Sequence, residues 1–403
     1  MNIGILTYHW VSNFGANLQT LSTYKYIEST GNNPVIIDWI PEDLENYYSK
    51  CVAPEQNEMH HSFASHYFVN RTQLCRNSED IAKEIVANDI KMVLIGSDAV
   101  FTYQPYWSRF SIGRRGVHYS KPYIDSDFPN PFWGEFVDLV RDDVIIVAMS
   151  ASAQNTPYTK IKSEKRKRAF EKALGKFSFL SVRDVWTQKM LSYLTHNKVL
   201  PTITPDPVFA FNQNVRPSDT KEYICKKYNL SENYALFSSS NPCNHFTDEW
   251  LHDLSDRFAD NSIELVELPK TLQATRRLDR YISFPIPPMD WYNLIKFSQG
   301  YIGELMHPVL VSLHNAVPVF ALDTYGFTKG GKLDIESSKT YQIMNRFNLL
   351  DNYYNRLYNT AIPSPLDVSS RILGFDREEC EKESLSMYKS YLGMMNNIMS
   401  LTK

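Results

Sequence analysis

Apolar and polar positions along this chain follow two rhythms. Short apolar runs at residues 3–7, 34–39, 92–95, 144–149 and 177–182 read as strands. Between them, at 18–30, 81–88, 163–174 and 184–194, apolar residues recur three and four apart, which predicts helices. A proline-rich break at 201–217 interrupts the series. It then resumes with strands at 234–238, 263–268, 300–302 and 317–322 and with helices at 248–258, at 291–298 and from His307 onward. Residues 379–400 read as one long helix.

Strands separated by helical stretches imply parallel sheets covered on both faces, and a break between two such series implies two domains. The expected architecture is α/β: two Rossmann-like domains whose parallel sheets face one another across a cleft. The predicted boundaries are 1–212 for the first domain, 213–375 for the second, and 376–403 for a helix packing back on the first. Two polar, aromatic stretches, near 43–78 and 103–133, fit neither rhythm and read as insertions.

With 403 residues and 43% hydrophobic content, the chain can supply both cores. A net charge of −3 gives no electrostatic case for binding nucleic acid. The five cysteines (Cys51, Cys75, Cys225, Cys243 and Cys380) are scattered, odd in number and without metal-ligand spacing, which suits reduced thiols in the cytoplasm. His60, His61 and His66 lie close together without acidic or thiol partners, so no metal site is expected. The opening Met1-Asn2-Ile3 lacks the character of a signal peptide, and no apolar run is long enough to span a membrane. The 25 tyrosines suit sugar faces as well as ordinary cores.

Candidate chemistry gathers where predicted strands end, the place where open α/β sheets hold ligands. His307, in the first turn of a helix that follows a strand, can exchange a proton near neutral pH or serve only to open the helix. Asn13 and Gly15 permit an unusual turn ahead of a helix whose free N–H groups suit an anion or a polar substrate. Gly96-Ser97-Asp98 offers a hydroxyl and a carboxylate, or a plain helix cap. Arg183 can grip a phosphate or carboxylate, or pair with Asp184 or Asp206. Ser239, in a run of serines after residues 234–238, can hydrogen-bond a phosphate or a sugar. The basic run 162–168 reads as a solvated helix face, with anionic lipid headgroups as a second reading.

In their order, these pieces resemble the polysaccharide pyruvyl transferase family. Ser12-Asn13-Phe14-Gly15-Ala16-Asn17-Leu18-Gln19 is similar to the family's Asn-Tyr-Gly-Ala-x-Leu-Gln turn. Gly96-Ser97-Asp98, Ser181-Val182-Arg183-Asp184, Asp206-Pro207 and Met306-His307 follow collinearly, so the resemblance covers roughly residues 3–325. It implies a fold like glycosyltransferase B. It also implies transfer of a pyruvyl group from phosphoenolpyruvate to two hydroxyls of a sugar, giving a cyclic ketal and phosphate with no cofactor. His307 falls on the family's catalytic histidine, the proton donor, and Arg183 on an arginine holding the donor, beside Met306 and Ser239. We assign Asp98 to the acceptor hydroxyls as a catalytic carboxylate, and Asn13, Gly15, Asn17 and Ser97 to acceptor binding. The family's pathway implies a sugar or lipid-linked oligosaccharide acceptor, and a cytoplasmic protein in peripheral contact with the inner membrane face.

One departure stands out. The family often reads Arg-Leu-His before this helix, whereas here Glu304-Leu305-Met306-His307 lacks the arginine that grips phosphoenolpyruvate. Three explanations stand open: another cation, such as Lys270, Arg276, Arg277, Lys329 or Lys332, supplies the charge from the second domain, the donor differs, or the reaction is no longer catalysed. Two other functions share the architecture: a sugar-nucleotide-dependent glycosyltransferase and a non-catalytic carbohydrate-binding relative.

Overall fold

The alternation of strands and helices closes into two parallel sheets in the computed structural model, which describes residues 1–402 apart from 114–115, 240–245, 270–276, 330–331 and 360. The side chains of 111–113, 327–329 and 332–333 also lie outside the description. The first half of the chain runs β1 (Asn2–Leu6), α1 (Phe14–Ser29), β2 (Asn33–Ile36), α2 (Glu42–Cys51), α3 (Pro54–Tyr67), α4 (Ser78–Ala87) and β3 (Ile90–Asp98). It continues through a hairpin, β4 (Phe110–Gly113) and β5 (Gly116–Tyr119), to β6 (Ile145–Ala151), α5 (Glu164–Leu174), β7 (Phe179–Val182), α6 (Val185–Leu194) and β8 (Thr202–Ile203). The sheet order is β2-β1-β3-β6-β7-β8, every pair parallel.

Two short helices, α7 (Phe211–Val215) and α8 (Lys221–Tyr228), lead to the second sheet. Its elements are β9 (Tyr234–Ser238), α9 (Asp248–Ala259), β10 (Glu264–Glu267), α10 (Pro288–Lys296), β11 (Tyr301–Gly303), α11 (Met306–His314) and β12 (Val319–Asp323). A small hairpin, β13 (Phe327–Lys329) and β14 (Lys332–Asp334), precedes α12 (Lys339–Arg346), β15 (Tyr353–Asn355), α13 (Pro365–Leu373) and α14 (Arg377–Ser400). The order β10-β9-β11-β12-β15 is again wholly parallel.

Helix α1 starts where Asn13 accepts a hydrogen bond from the Ala16 amide, four residues earlier than its apolar pattern suggests. Thirteen of its sixteen residues are buried, so it shows no polar face and the periodicity loses its start. It lies between the sheets: the Phe14 ring stacks on Trp291 of α10 at 4.8 Å, and Ser22 Oγ donates to the Pro207 carbonyl.

The 43–78 insertion is built from the helices α2 and α3. Gln56 of α3 exchanges two hydrogen bonds with the backbone of Ile286 in the second half, and His60 bonds Asn17 and Gln56. That histidine is a structural strut. Among the described residues no cluster of potential metal ligands forms, and no helix is long and apolar enough to cross a membrane.

Helix α14 ties the two halves together. Its Ser384 hydroxyl donates to the His314 carbonyl at the end of α11. Further along, Met394 Sδ accepts from Ser150 and Ser181 in the first sheet, each at 3.4 Å. Met394→Ala removes that acceptor and opens a cavity, so its expected cost is about 2–5 kcal/mol. Urea unfolding checks this; an unchanged midpoint would mean that α14 does not hold the first sheet.

Candidate active site

Each sheet has a point at which its strand order reverses. In the first, β2 lies on one side of β1 and β3 on the other; in the second, β10 and β11 flank β9 in the same way. Chain segments diverge at such points and leave a crevice beyond the strands' carboxyl ends. Here the two crevices meet, and a cavity of about 420 Å³ occupies the junction. Tyr8 and the Asn13–Gly15 turn reach it from β1, Asp98 from β3, Ser238 from β9, and Leu305 to His307 from β11.

The closest meeting is between Gly15 and His307. A Cβ built on Gly15 would lie 2.0 Å from Cγ of the imidazole, so only glycine fits there. His307 Nε2 is shielded from solvent and has no hydrogen-bond partner among the described residues. Burial pushes the imidazole below its ordinary pKa; Asp98 and Asp206 oppose the shift, while Arg183 and Lys339 reinforce it. In the free protein at neutral pH the ring is therefore neutral.

Asp98 sits at φ +91°, a backbone conformation side chains rarely adopt and one retained mainly at functional sites. Burial would raise its pKa, but Arg183, His307 and Lys339 outweigh burial and hold the carboxyl below the usual range. Arg183 itself is locked. Its Nη1 donates to Asp206 at 2.6 Å and its Nη2 to Asp98 at 3.4 Å. Asp206 in turn accepts from Gln19 of α1 and from the Val208 amide. Arg183 borders a neighbouring cavity of about 620 Å³ rather than the first, which it reaches through Asp98.

Two of the expected acceptor residues also turn elsewhere. Asn17 bonds His60 and the His9 carbonyl, and Ser97 Oγ donates to the Ser150 carbonyl. Their side chains hold the turn and the strand end in place. Asn13, Gly15, Asp98, Met306 and His307 do line the cavity; on the β9 side Ser238 lines it, and Ser239 does not.

The residue missed from sequence is Lys339. It is the only lysine or arginine among the described residues lining the cavity, and no ion pair engages it among the described residues. Burial, together with the charge of Arg183, pushes its ammonium down to about 8. Of the cations expected in its place, Arg277 is spent on Asp248 and the Phe246 carbonyl; Lys270, Arg276 and the side chains of Lys329 and Lys332 lie outside the described residues. A signal existed in the sequence. Lys339 opens α12 directly after its cap Ser338, and a cation in a first turn opposes the helix dipole.

On the opposite wall Tyr8 donates to Asp125 at 2.7 Å, and burial raises the Asp125 carboxyl above its ordinary range. Trp291, Tyr48 and Tyr325 supply aromatic faces. Rings beside hydroxyl and carboxyl groups suit a sugar.

The profile of the polysaccharide pyruvyl transferases matches residues 13–325, more than half of the chain. The chain belongs to the polysaccharide pyruvyl transferase family. It is accordingly a transferase of polysaccharide biosynthesis. No curated protein sequence is a detectable match. Among solved structures, this pyruvyl transferase is similar to Staphylococcus aureus MnaA in its co-structure with UDP, at 11% identity and a TM-score of 0.51, covering 98% of this chain and 94% of that one. It is also similar to Anabaena HepE in complex with UDP, at 8% identity and a TM-score of 0.50, covering 100% and 99%. At such identities the likeness concerns the fold, which is glycosyltransferase B.

The charges around His307 predict opposite responses. Asp98→Asn removes an anion and lowers the imidazole pKa further; Lys339→Met removes a cation and raises it. Titration of the His307 ring by NMR checks this, and shifts of the same sign in both variants would contradict the arrangement.

Proposed function

We propose that this pyruvyl transferase moves the pyruvyl group of phosphoenolpyruvate onto two hydroxyls of a sugar, in a polysaccharide or its lipid-linked precursor, forming a cyclic ketal. The observation that carries the reading is His307, seated on Gly15 between Asp98 and Lys339 at the junction of the two crevices. The donor is an enol ester of phosphate. Protonation of its methylene carbon leaves an oxocarbenium-like centre at C2, which one acceptor hydroxyl attacks. The second hydroxyl then displaces phosphate, which leaves as hydrogen phosphate with that hydroxyl's proton, so two C–O bonds form, the C–O bond to phosphate breaks, and the methylene becomes methyl.

His307 is the proton donor. Its depressed pKa means that it takes up a proton only when an anionic donor arrives, which couples the acid's readiness to substrate binding. Lys339 supplies the charge that the family's arginine provides at the position of Leu305. Asp98, kept ionised by Arg183, receives the proton of the attacking hydroxyl, and that proton balances the one His307 gives. Asp125 and Trp291 hold the acceptor sugar.

Titration calorimetry with phosphoenolpyruvate tests the donor. Lys339→Met loses a charge-assisted contact of about 1.5–3 kcal/mol and binds about tenfold to hundredfold more weakly. His307→Asn loses turnover and also weakens donor binding, because the proton that the imidazole takes up with the donor is lost. Because the protonated ammonium binds the donor, affinity falls as the pH rises above about 8. UDP occupies two relatives of the same fold. Heat from UDP and none from phosphoenolpyruvate would replace this reading with a sugar-nucleotide-dependent glycosyltransferase.

A further inference from the structure

Asp98 and Asp125 are the two carboxylates among the described residues lining the cavity, and the protein treats them differently. Asp98 stands beside Arg183, His307 and Lys339, whose charge keeps it ionised. Asp125 has no paired cation among the described residues. Burial raises its carboxyl above the ordinary range against the hydrogen bond from Tyr8, and the charge of Asp43 adds to the rise. Tyr8 and Tyr48 each feel the charge of both carboxylates, which places the pair around the same two phenols. Two carboxyl groups in one site with their pKa values pushed apart mark two different proton-transfer tasks.

Asp125 is also firmly placed. The buried Asn130 amide donates to the carbonyls of Ile124, Asp125 and Asp127 at 3.1, 3.0 and 2.9 Å. The Ile124 amide donates to Asp43 of α2 at 2.9 Å, and Tyr8 donates to one carboxyl oxygen of Asp125 at 2.7 Å. Among the described residues no other side chain bonds that carboxyl, so its second oxygen is left to meet a ligand in the cavity. A group locked by hydrogen bonds on one side and open on the other is suited to proton transfer.

The proposed reaction has a matching need. Two acceptor hydroxyls lose their protons, and Asp98 receives one of them. We propose that Asp125 is a second catalytic carboxylate, the base that takes the proton of the second acceptor hydroxyl. This inference rests on the proposed function. As the second hydroxyl oxygen bonds to C2 and the C–O bond to phosphate breaks, the hydroxyl proton moves to Asp125. It then passes through water to the phosphate, which leaves as hydrogen phosphate, and the carboxylate is restored. A carboxylate with a raised pKa is the stronger base of the two, and it is nearer to a working pH around neutrality.

The test follows phosphate release from phosphoenolpyruvate with a panel of methyl glycosides of hexoses and N-acetylhexosamines as acceptors. Asp125→Asn, which still offers Tyr8 an acceptor, should lower kcat by about hundredfold or more. It should keep the circular dichroism and the phosphoenolpyruvate affinity of the wild-type protein, which separates this defect from a folding or donor-site defect. In a single turnover it should accumulate the adduct that carries one sugar oxygen and the phosphate on C2, detected by mass spectrometry, and Asp98→Asn should not form it. The pH profile gives a second readout. Tyr8, Asp43, Tyr48 and Asp98 are the titratable groups facing the Asp125 carboxyl. Burial keeps both phenols neutral near pH 7 and below, and Asp98 is held low, so the acidic limb of kcat belongs to Asp125. Tyr8→Phe removes a hydrogen bond that lowers the Asp125 pKa, so that limb should move to higher pH. Wild-type kcat in Asp125→Asn, a loss of acceptor affinity alone, or an unmoved limb in Tyr8→Phe would overturn this inference and leave the proposed function standing. No phosphate release by the wild-type protein with any acceptor would overturn both.

Discussion

The imidazole of His307 rests on the backbone of Gly15, and no side chain larger than hydrogen could stand between them. These residues open helices that follow strands of different sheets, and they lie nearly three hundred positions apart in sequence. The contact therefore fixes how the first turn of one half approaches the first turn of the other. Everything in the cavity inherits that geometry. The Asn13 cap, the interior helix α1 and the stacked pair Phe14–Trp291 hold one side of the contact, while α14 spans both halves behind it.

Beneath this contact lies a balanced set of charges. Arg183 sits between Asp98 and Asp206, and Gln19 and the Val208 amide complete the hydrogen bonding of Asp206. Burying such a group is tolerable only because each charge is paired. With Arg183 spent internally, Lys339 remains to meet an incoming anion. Its ammonium is half-buried and pushed down to about 8, a cation without an ion-pair partner among the described residues and so available to a ligand. In the proposed function Lys339 takes the place of the arginine that the family often carries at the position of Leu305.

Much of this was legible in the sequence. Runs such as Val93 to Ile95 are apolar throughout because strands of a parallel sheet are buried on both faces, and the strand-and-helix rhythm gave the fold class directly. Helix α1 was harder, since a helix buried all round shows no stripe, and its true start is marked by Asn13 alone. The 43–78 stretch fitted neither rhythm because α2 and α3 present mixed polar and aromatic faces, and the buried contacts of Gln56 and His60 depend on partners far along the chain. The site was half visible. His307 and Asp98 follow strands and could be read as chemistry; Asn17 and Ser97 carry the same residue types, yet their side chains turn inward, which no local pattern discloses. Lys339 escaped notice because it lies outside the strand ends, on a helix brought in by tertiary packing.

The most direct measurement is a crystal structure of the protein soaked with phosphoenolpyruvate. The account predicts an anionic group of the donor on the Lys339 ammonium and the methylene carbon within about 3.5 Å of a ring nitrogen of His307. A donor bound away from His307, or seated across the wall against Arg183 in the neighbouring cavity, would contradict it.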